Sequence, residues 1–340
     1  TNNSGSPDGD LQYATSRGAT VRYVSNFTAP NTITDLTYGN AFDTAVELIF
    51  TPPYSLNGID YYEVYSNGVF RSRIKASGDY AKNLTPSTSQ NLQIIAVDNF
   101  FNKSELSNSA FVMTNATSYL NYINFAKYNL SDGTDSKGGY NGTVGASISF
   151  VSGKNGNCAK FERIGTSASV ISIPDDNAFS FGSGKKFSIS VWFKLASLEN
   201  GQVILSKSNN TIGNIEWALR YSTGLYFSMA DGTDTSKSIQ IAQFTDTIAA
   251  DVWYNAIITW DGSNTPSGLK IILNGENIGL KNNSVLPFTG TKNTTSPVVM
   301  GSYANLPATN FRLNGQLDEV YFFNDVLQKS EITYLQTNFL

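Results

Sequence analysis

The chain has 340 residues, with 23 Lys and Arg against 27 Asp and Glu for a formal net charge of −4; 40% of residues are hydrophobic and 15% charged. That length fits two or three ordinary domains and can bury a sizeable core without staples. The charge excludes a basic nucleic-acid footprint, and no apolar run approaches the roughly 18 residues of a membrane span. There is no histidine and a single cysteine, Cys158, which excludes Ser-His-Asp and Cys-His catalysis, histidine zinc sites and any internal disulfide. Abundant Asn, Ser, Thr and Gly with 13% aromatics point to an all-β surface protein.

Residues 1–28 form a polar lead-in broken by Gly5, Pro7 and Gly9, with a short strand expected over Thr20–Val24. It reads either as a linker-like arm or as an attachment segment that docks on other proteins of an assembly. The run ATSRGATVRYVSN resembles the repeated linkers of phage fibre proteins. The sequence opens without an initiator Met or a signal peptide, so a processed chain or part of a longer one is expected.

Residues 29–115 carry short strand-like runs at Ile33–Leu36, Ala45–Phe50, Tyr61–Tyr65, Val69–Lys75, Asn91–Val97 and Ala110–Met113. Turn clusters at Pro52-Pro53, Asn57-Gly58, Asn67-Gly68 and Pro86-Ser87 separate them, the pattern of a sandwich. Asn67-Gly68 marks a tight hairpin because both residues tolerate positive φ. Alternation places Tyr62, Val64 and Ser66 on one face and Tyr61, Glu63 and Tyr65 on the other. Asp98 is expected to shape a turn. The segments PNTITDLTYG, VELIFTPP, YYEVYSNG and LTPSTSQNLQIIAVDNFFNKSELS together resemble a fibronectin type III domain. Phe50 stands where that family usually has Trp, and Ser89-Gln90-Asn91 replaces its expected Tyr. The resemblance implies a spacer or interaction module.

Residues 117–340 form the larger unit. In KFSISVWFKL, Phe187, Ile189, Val191 and Phe193 alternate with Ser188, Ser190, Trp192 and Lys194. IEWALRY and GLYFSMAD read as a hairpin through Ser222-Thr223-Gly224, and Asn274-Gly275 makes the turn after LKIIL. Lys329–Leu335 is the one stretch expected to be helical, with Ile332 and Leu335 inward. The order TDSKGGYNGT, GKNGNCAKFERI, FSISVWFKL, VWYNAIITWDGS, KIILNGENI and GQLDEVYFFNDVL resembles laminin-G-like, concanavalin-A-like jelly rolls. The expected fold class is therefore all-β: a fibronectin type III-like β-sandwich plus a concanavalin-A-like jelly roll, a fold that hosts lectins, adhesion modules and glycanases alike.

Three chemistries are open to that scaffold. The glucanases of this fold carry E-x-D-x-x-E on one strand, and no such triplet occurs; Glu216 is followed on its face by Ala218 and Arg220. Cys158 lacks a histidine partner and reads as a small core residue. Calcium is the expected cofactor: the resemblance to G-x-I-D-E-V relatives implies an ion at Asp318, with Asp135 as companion, and the alternative is that Asp318 binds backbone amides. In GQLDEVYFF, alternation places Leu317, Glu319 and Tyr321 on one face and Asp318, Val320 and Phe322 on the other. For sugars, the outward partners of inward Trp217, Leu219, Phe227, Met229, Ile258 and Trp260 matter most. Glu216, Arg220, Tyr226 and Asn255, with Trp192, are the expected ligand residues, and the loops 206–214 and 302–311 are alternative rims.

The expected protein is a non-catalytic surface adhesin binding a polysaccharide or cell-surface glycan, extracellular, on a virion or bacterial cell surface. Repetition in a fibre or homo-oligomer would supply avidity. A purely structural clamp and a glycanase are the alternatives.

Overall fold

The computed structural model describes residues 28–116, 118–163, 169–208, 215–231, 236–243, 248–278, 281–304 and 311–339. They belong to two compact units, Thr1–Ser118 and Tyr119–Leu340. The strand expected over Thr20–Val24, and the arm up to residue 27, lie outside the described residues.

The first unit contains β1 (Thr37–Ala41), β2 (Val46–Ile49), β3 (Ile59–Ser66), β4 (Val69–Ile74), β5 (Tyr80–Ala81), β6 (Ser89–Asp98) and β7 (Ala110–Met113). They form a three-stranded sheet, β1-β2-β5, and a four-stranded sheet, β4-β3-β6-β7. The core between them takes Val46 and Leu48 from one sheet and Tyr62, Val64, Leu92, Ile94 and Val112 from the other, as period-2 alternation requires. The β3–β4 turn has Asn67 at φ 50° and Gly68 at φ 77°, the two positive angles of a tight hairpin. Asp98 does shape its turn: it accepts the N–H groups of Phe100 and Asn102 and the side-chain amides of Asn57 and Asn102. The strand expected at Ile33–Leu36 is absent; β1 starts at Thr37. Ile33 and Leu36 are still buried, but the Asn108 side chain takes both backbone groups of Leu36 in place of a ladder.

The second unit begins with a short helix, α1 (Tyr119–Ile123), and continues through β8 (Asn124–Tyr128), β9 (Thr143–Val144), β10 (Ser149–Ser152), β11 (Asn157–Phe161), β12 (Ile171–Ile173), β13 (Phe187–Leu195), β14 (Gln202–Ser208) and β15 (Ile215–Tyr221). Then come β16 (Leu225–Ala230), β17 (Ser238–Gln243), β18 (Tyr254–Trp260), β19 (Leu269–Leu273), β20 (Glu276–Asn277), β21 (Lys281–Asn282), β22 (Val298–Met300), β23 (Gly315–Phe323) and α2 (Lys329–Thr337). One eight-stranded sheet runs β10-β11-β23-β13-β18-β19-β20, with β8 also on β23; the other runs β21-β17-β16-β15-β14-β22-β12-β9. Phe187, Ile189, Val191 and Phe193 of the first sheet and Trp217, Leu219, Phe227 and Met229 of the second fill the core between them. Each such side chain contributes roughly 1.5–3 kcal/mol by leaving water. The Trp217 indole N–H reaches the Phe179 carbonyl at 2.8 Å, so the largest core ring leaves no buried donor unpaired.

Two expectations need correction here. Helix α1 was not foreseen, because five residues are too few to show a helical period. In β23 the alternation breaks: Tyr321 faces Ser190 but Asp318 faces Trp192, so β23 carries one extra residue. Glu319 sits at that bulge with φ 48°. Leu317, Val320 and Phe322 consequently share the core, and Asp318 and Glu319 are held by the same residue, Asn155, rather than lying on opposite faces. Helix α2 forms where expected, with a capping box between Gln328 and Glu331 and with Ile332 and Leu335 buried.

Candidate functional site

The β15–β16 hairpin points Trp217, Leu219, Phe227 and Met229 inward, so Ala218, Arg220, Tyr226 and Ser228 point away from the core. Arg220 lies directly opposite Tyr226 and Ala218 opposite Ser228. The Arg220 guanidinium carbon stands 5.4 Å from the centre of the Tyr226 ring, a cation–π contact. Val203 on β14 flanks Arg220, and Ala242 and Gln240 on β17 flank Tyr226 and Ser228. Val203, Ala218 and Tyr303 form a small apolar cluster, with Phe311 against it. Arg220, Tyr226, Ser228 and Gln240 are all half-buried. The face thus offers a guanidinium fork, an aromatic ring, a hydroxyl and an amide within one hairpin and its neighbour, donors and acceptors suited to a polyhydroxylated ligand.

The other expected ligand residues are not brought to this face. Glu216 is fully buried. Its Oε1 accepts the Lys207 ammonium at 2.7 Å and the backbone N–H and hydroxyl of Thr294 at 2.8 and 2.7 Å. Lys207, also fully buried, donates in addition to Asp175 at 2.6 Å and to the carbonyls of Thr294 and Ser296. Glu216 is therefore the counter-charge of a buried lysine. Trp192 and Asn255 face each other on β13 and β18, in the opposite sheet. Asn255 is fully buried and donates to the Ser190 hydroxyl. Trp192 is 6% exposed and covered by the Lys154 ammonium, 4.4 Å from its ring centre. Much of loops 206–214 and 302–311 lies outside the described residues.

Asp318 and Asp135 serve different loops. Asp318 is fully buried and its Oδ2 accepts the N–H groups of Lys154 at 2.7 Å and Asn155 at 3.0 Å, while Oδ1 has no partner. Burial pushes its carboxyl up to about 6, against the pull of those N–H donors. Burial likewise raises Glu319 to about 7, with the neighbouring Asp318 charge adding to it. Glu319 accepts from the Asn155 amide at 2.7 Å and from the Tyr321 hydroxyl. The carboxylate of Asp135 takes four backbone N–H groups, from Lys127, Lys137, Gly139 and Tyr140. Calcium needs converging lone pairs; here Asp135 has its oxygens turned to amide hydrogens and Asp318 keeps only Oδ1. The two residues do not fit as a shared pair of calcium ligands, and no cluster of three acidic or thiol side chains suited to a metal forms among the described residues. Cys158 is buried, and burial raises its thiol to about 11 with Asp318 adding to the rise, which leaves it a packing residue.

Lys207, Asp175, Lys154 and the bulge at Glu319 were not foreseen. A lysine inside the strand run ILSKS was the available signal, since a cation there needs a buried partner.

This geometry has relatives. Residues 165–333 match the concanavalin A-like lectin/glucanases superfamily. The two eight-stranded sheets of the second unit, with their shared core, are in keeping with that match. Among solved structures, the chain is similar to the binding domain of Paraclostridial Mosquitocidal Protein 1 at 18% identity, over 64% of this chain and 52% of that one, with a TM-score of 0.50. It is also similar to domain 4 of AbnA, a GH43 extracellular arabinanase from Geobacillus stearothermophilus solved with arabinotriose, at 18% identity over 63% and 98% of the chains and a TM-score of 0.47. A third is the botulinum neurotoxin serotype D ligand binding domain in complex with N-acetylneuraminic acid, at 16% identity over 64% and 51%, TM-score 0.48. The chain spans about half the length of the toxin domains it matches. No curated protein matches it. These likenesses concern the fold. No helix among the described residues is long and apolar enough to cross a membrane.

Proposed function

We propose that the second unit is a glycan-binding module that holds its ligand without turning it over. The observation that carries this reading is the half-buried Arg220–Tyr226 pair on the outward face of β15 and β16. A ring for the apolar face of a sugar and fixed donors for its hydroxyls are what such a ligand needs. The superfamily match is in keeping with it. The absence of turnover is supported by where the carboxylates lie. A glycosidase sets two of them across the sugar, about 5–9.5 Å apart. Asp318 and Glu319 are both buried beneath the turn at residues 153–156, and Glu216 is tied to Lys207.

The first unit fits a fibronectin type III-like spacer, a reading supported by its three-on-four sandwich. An extracellular setting on a phage fibre or bacterial envelope rests on the composition and on the lead-in, and co-purification with virions or with envelopes tests it. The binding test is a broad glycan array with the full chain, its R220A/Y226A variant and a melting control. Loss of the ring alone should cost about 1 kcal/mol or more, enough to remove a weak monovalent signal. Reproducible binding by the parent and loss in a folded variant is the expected result. Undiminished binding by the variant moves the site to the 206–214 or 302–311 loops, and no binding by the parent leaves a structural clamp.

A further inference from the structure

We infer that the glycan taken at Arg220 carries a carboxylate group. This rests on the glycan-binding reading and narrows it. Arginine stays protonated at every pH of interest, so its charge must be balanced by water or by an anion. Two other sequestered cations of this unit are balanced by carboxylates: Lys207 has Glu216 and Asp175, and Arg163 has Glu199 at 2.8 Å. Arg220 is half-buried, yet it forms no ion pair among the described residues, and its Nε is buried without a hydrogen-bond partner. Its neighbours across the sheet supply no acid: Val203, Tyr226 and Ala242 lie in its own row, and Ser206, Ala218, Ser228 and Gln240 in the next.

Among the described residues, the guanidinium stands against the Tyr226 ring. That contact fixes the fork beside the surface on which a sugar would stack. A neutral hydroxyl would satisfy a donor and leave the charge uncompensated; a carboxylate satisfies both. Hexuronates and sialic acids present that group on a pyranose ring, and either meets the requirement.

The experiment measures binding of the full chain to two matched pairs, polygalacturonate against the same polymer with its carboxyls reduced, and 3′-sialyllactose against lactose, at low and high salt. In at least one pair the acidic member should bind about tenfold more tightly, with the advantage shrinking as salt screens the charge. The pair that shows it identifies the source of the carboxylate. R220Q should abolish the advantage, weakening the acidic member about tenfold more than the neutral one with the melting temperature unchanged, and R220K should keep part of it. Equal affinity within both pairs, an advantage that survives in R220Q, or R220Q weakening acidic and neutral members alike overturns the inference and leaves glycan binding standing. Binding confined to neutral glycans on the broad array does the same. Failure of the parent to bind any glycan removes the glycan-binding reading itself.

Discussion

Glu216 and Arg220 sit four residues apart on β15 and do opposite work. Glu216 offsets a lysine with no exposure, so removing it leaves Lys207 buried with Asp175 as its remaining carboxylate. E216A should therefore cost about 3–5 kcal/mol, read by denaturant unfolding, before any effect on binding is seen. R220A should leave stability within about 1 kcal/mol and act on binding alone. Asp318 and Glu319 make a prediction about pH. Both are raised in the folded state, to about 6 and about 7, above their ordinary values. The stability they contribute is fully present below about pH 4 and is lost as pH rises through 6 to 7. D318N keeps an oxygen for the two backbone amides and no longer has a proton to lose. It should flatten the fall in melting temperature between pH 5 and pH 8, a change on the order of 2 kcal/mol. A fall of unchanged depth in D318N would mean that burial of this carboxyl is not its source. Calcium at millimolar levels, measured against chelator, should leave the melting temperature unchanged, because one free oxygen on Asp318 is too few ligands; a rise lost in D318N would restore the ion.

Among elements, the turn linking β10 and β11 depends most on its neighbours. Asp318 holds its amides, Glu319 holds the Asn155 side chain, and Lys154 lies on Trp192. Gly153 allows this approach: a Cβ there would stand 2.5 Å from Asp318 Oδ2 and 2.6 Å from the Cys158 Cβ. G153A should cost roughly 1–3 kcal/mol by overpacking and lift the turn. A red shift of tryptophan emission as Trp192 meets water would report it, and an unshifted, fully stable variant would show that the turn is not latched in this way. The β15–β16 hairpin has a different logic. Its inward aromatics anchor it in the core, so Arg220 and Tyr226 on its outward face can vary without unfolding it.

For the whole chain, the two units carry carboxylates of opposite tendency. In the first, burial pushes Asp98 up, but bonds from Asn102 and Asn57 and from the backbone outweigh it and hold the carboxyl below its ordinary value. That contribution is lost as pH falls through the depressed value, whereas the contribution of Asp318 and Glu319 is lost as pH rises. Calorimetry should show two transitions that shift in opposite directions between pH 3 and pH 8. A fragment of residues 119–340 should fold alone and retain the glycan binding of the full chain. A single transition at every pH, or an unfolded fragment, would join the units into one cooperative body.

Alternation and turn chemistry made much of the fold legible in the amino-acid order. The inward rings of β13, β15 and β16, the turn at Asn67-Gly68 and the helix at Lys329 follow from local periods and from residues that accept positive φ. The same local rules placed Arg220 and Tyr226 outward and on paired strands. They could not say which outward residues would be covered. Trp192, Glu216 and Asn255 have the same alternation signature as Arg220, yet Lys154, the Lys207 cluster and the Ser190 contact bury them. Those coverings come from residues from 9 to 78 positions away in sequence, and one extra residue in β23 reversed the facing of everything beyond it. Local sequence therefore set each strand's two faces; burial and charge pairing, which are properties of neighbours brought together by the folded chain, decided which faces remain available to a ligand.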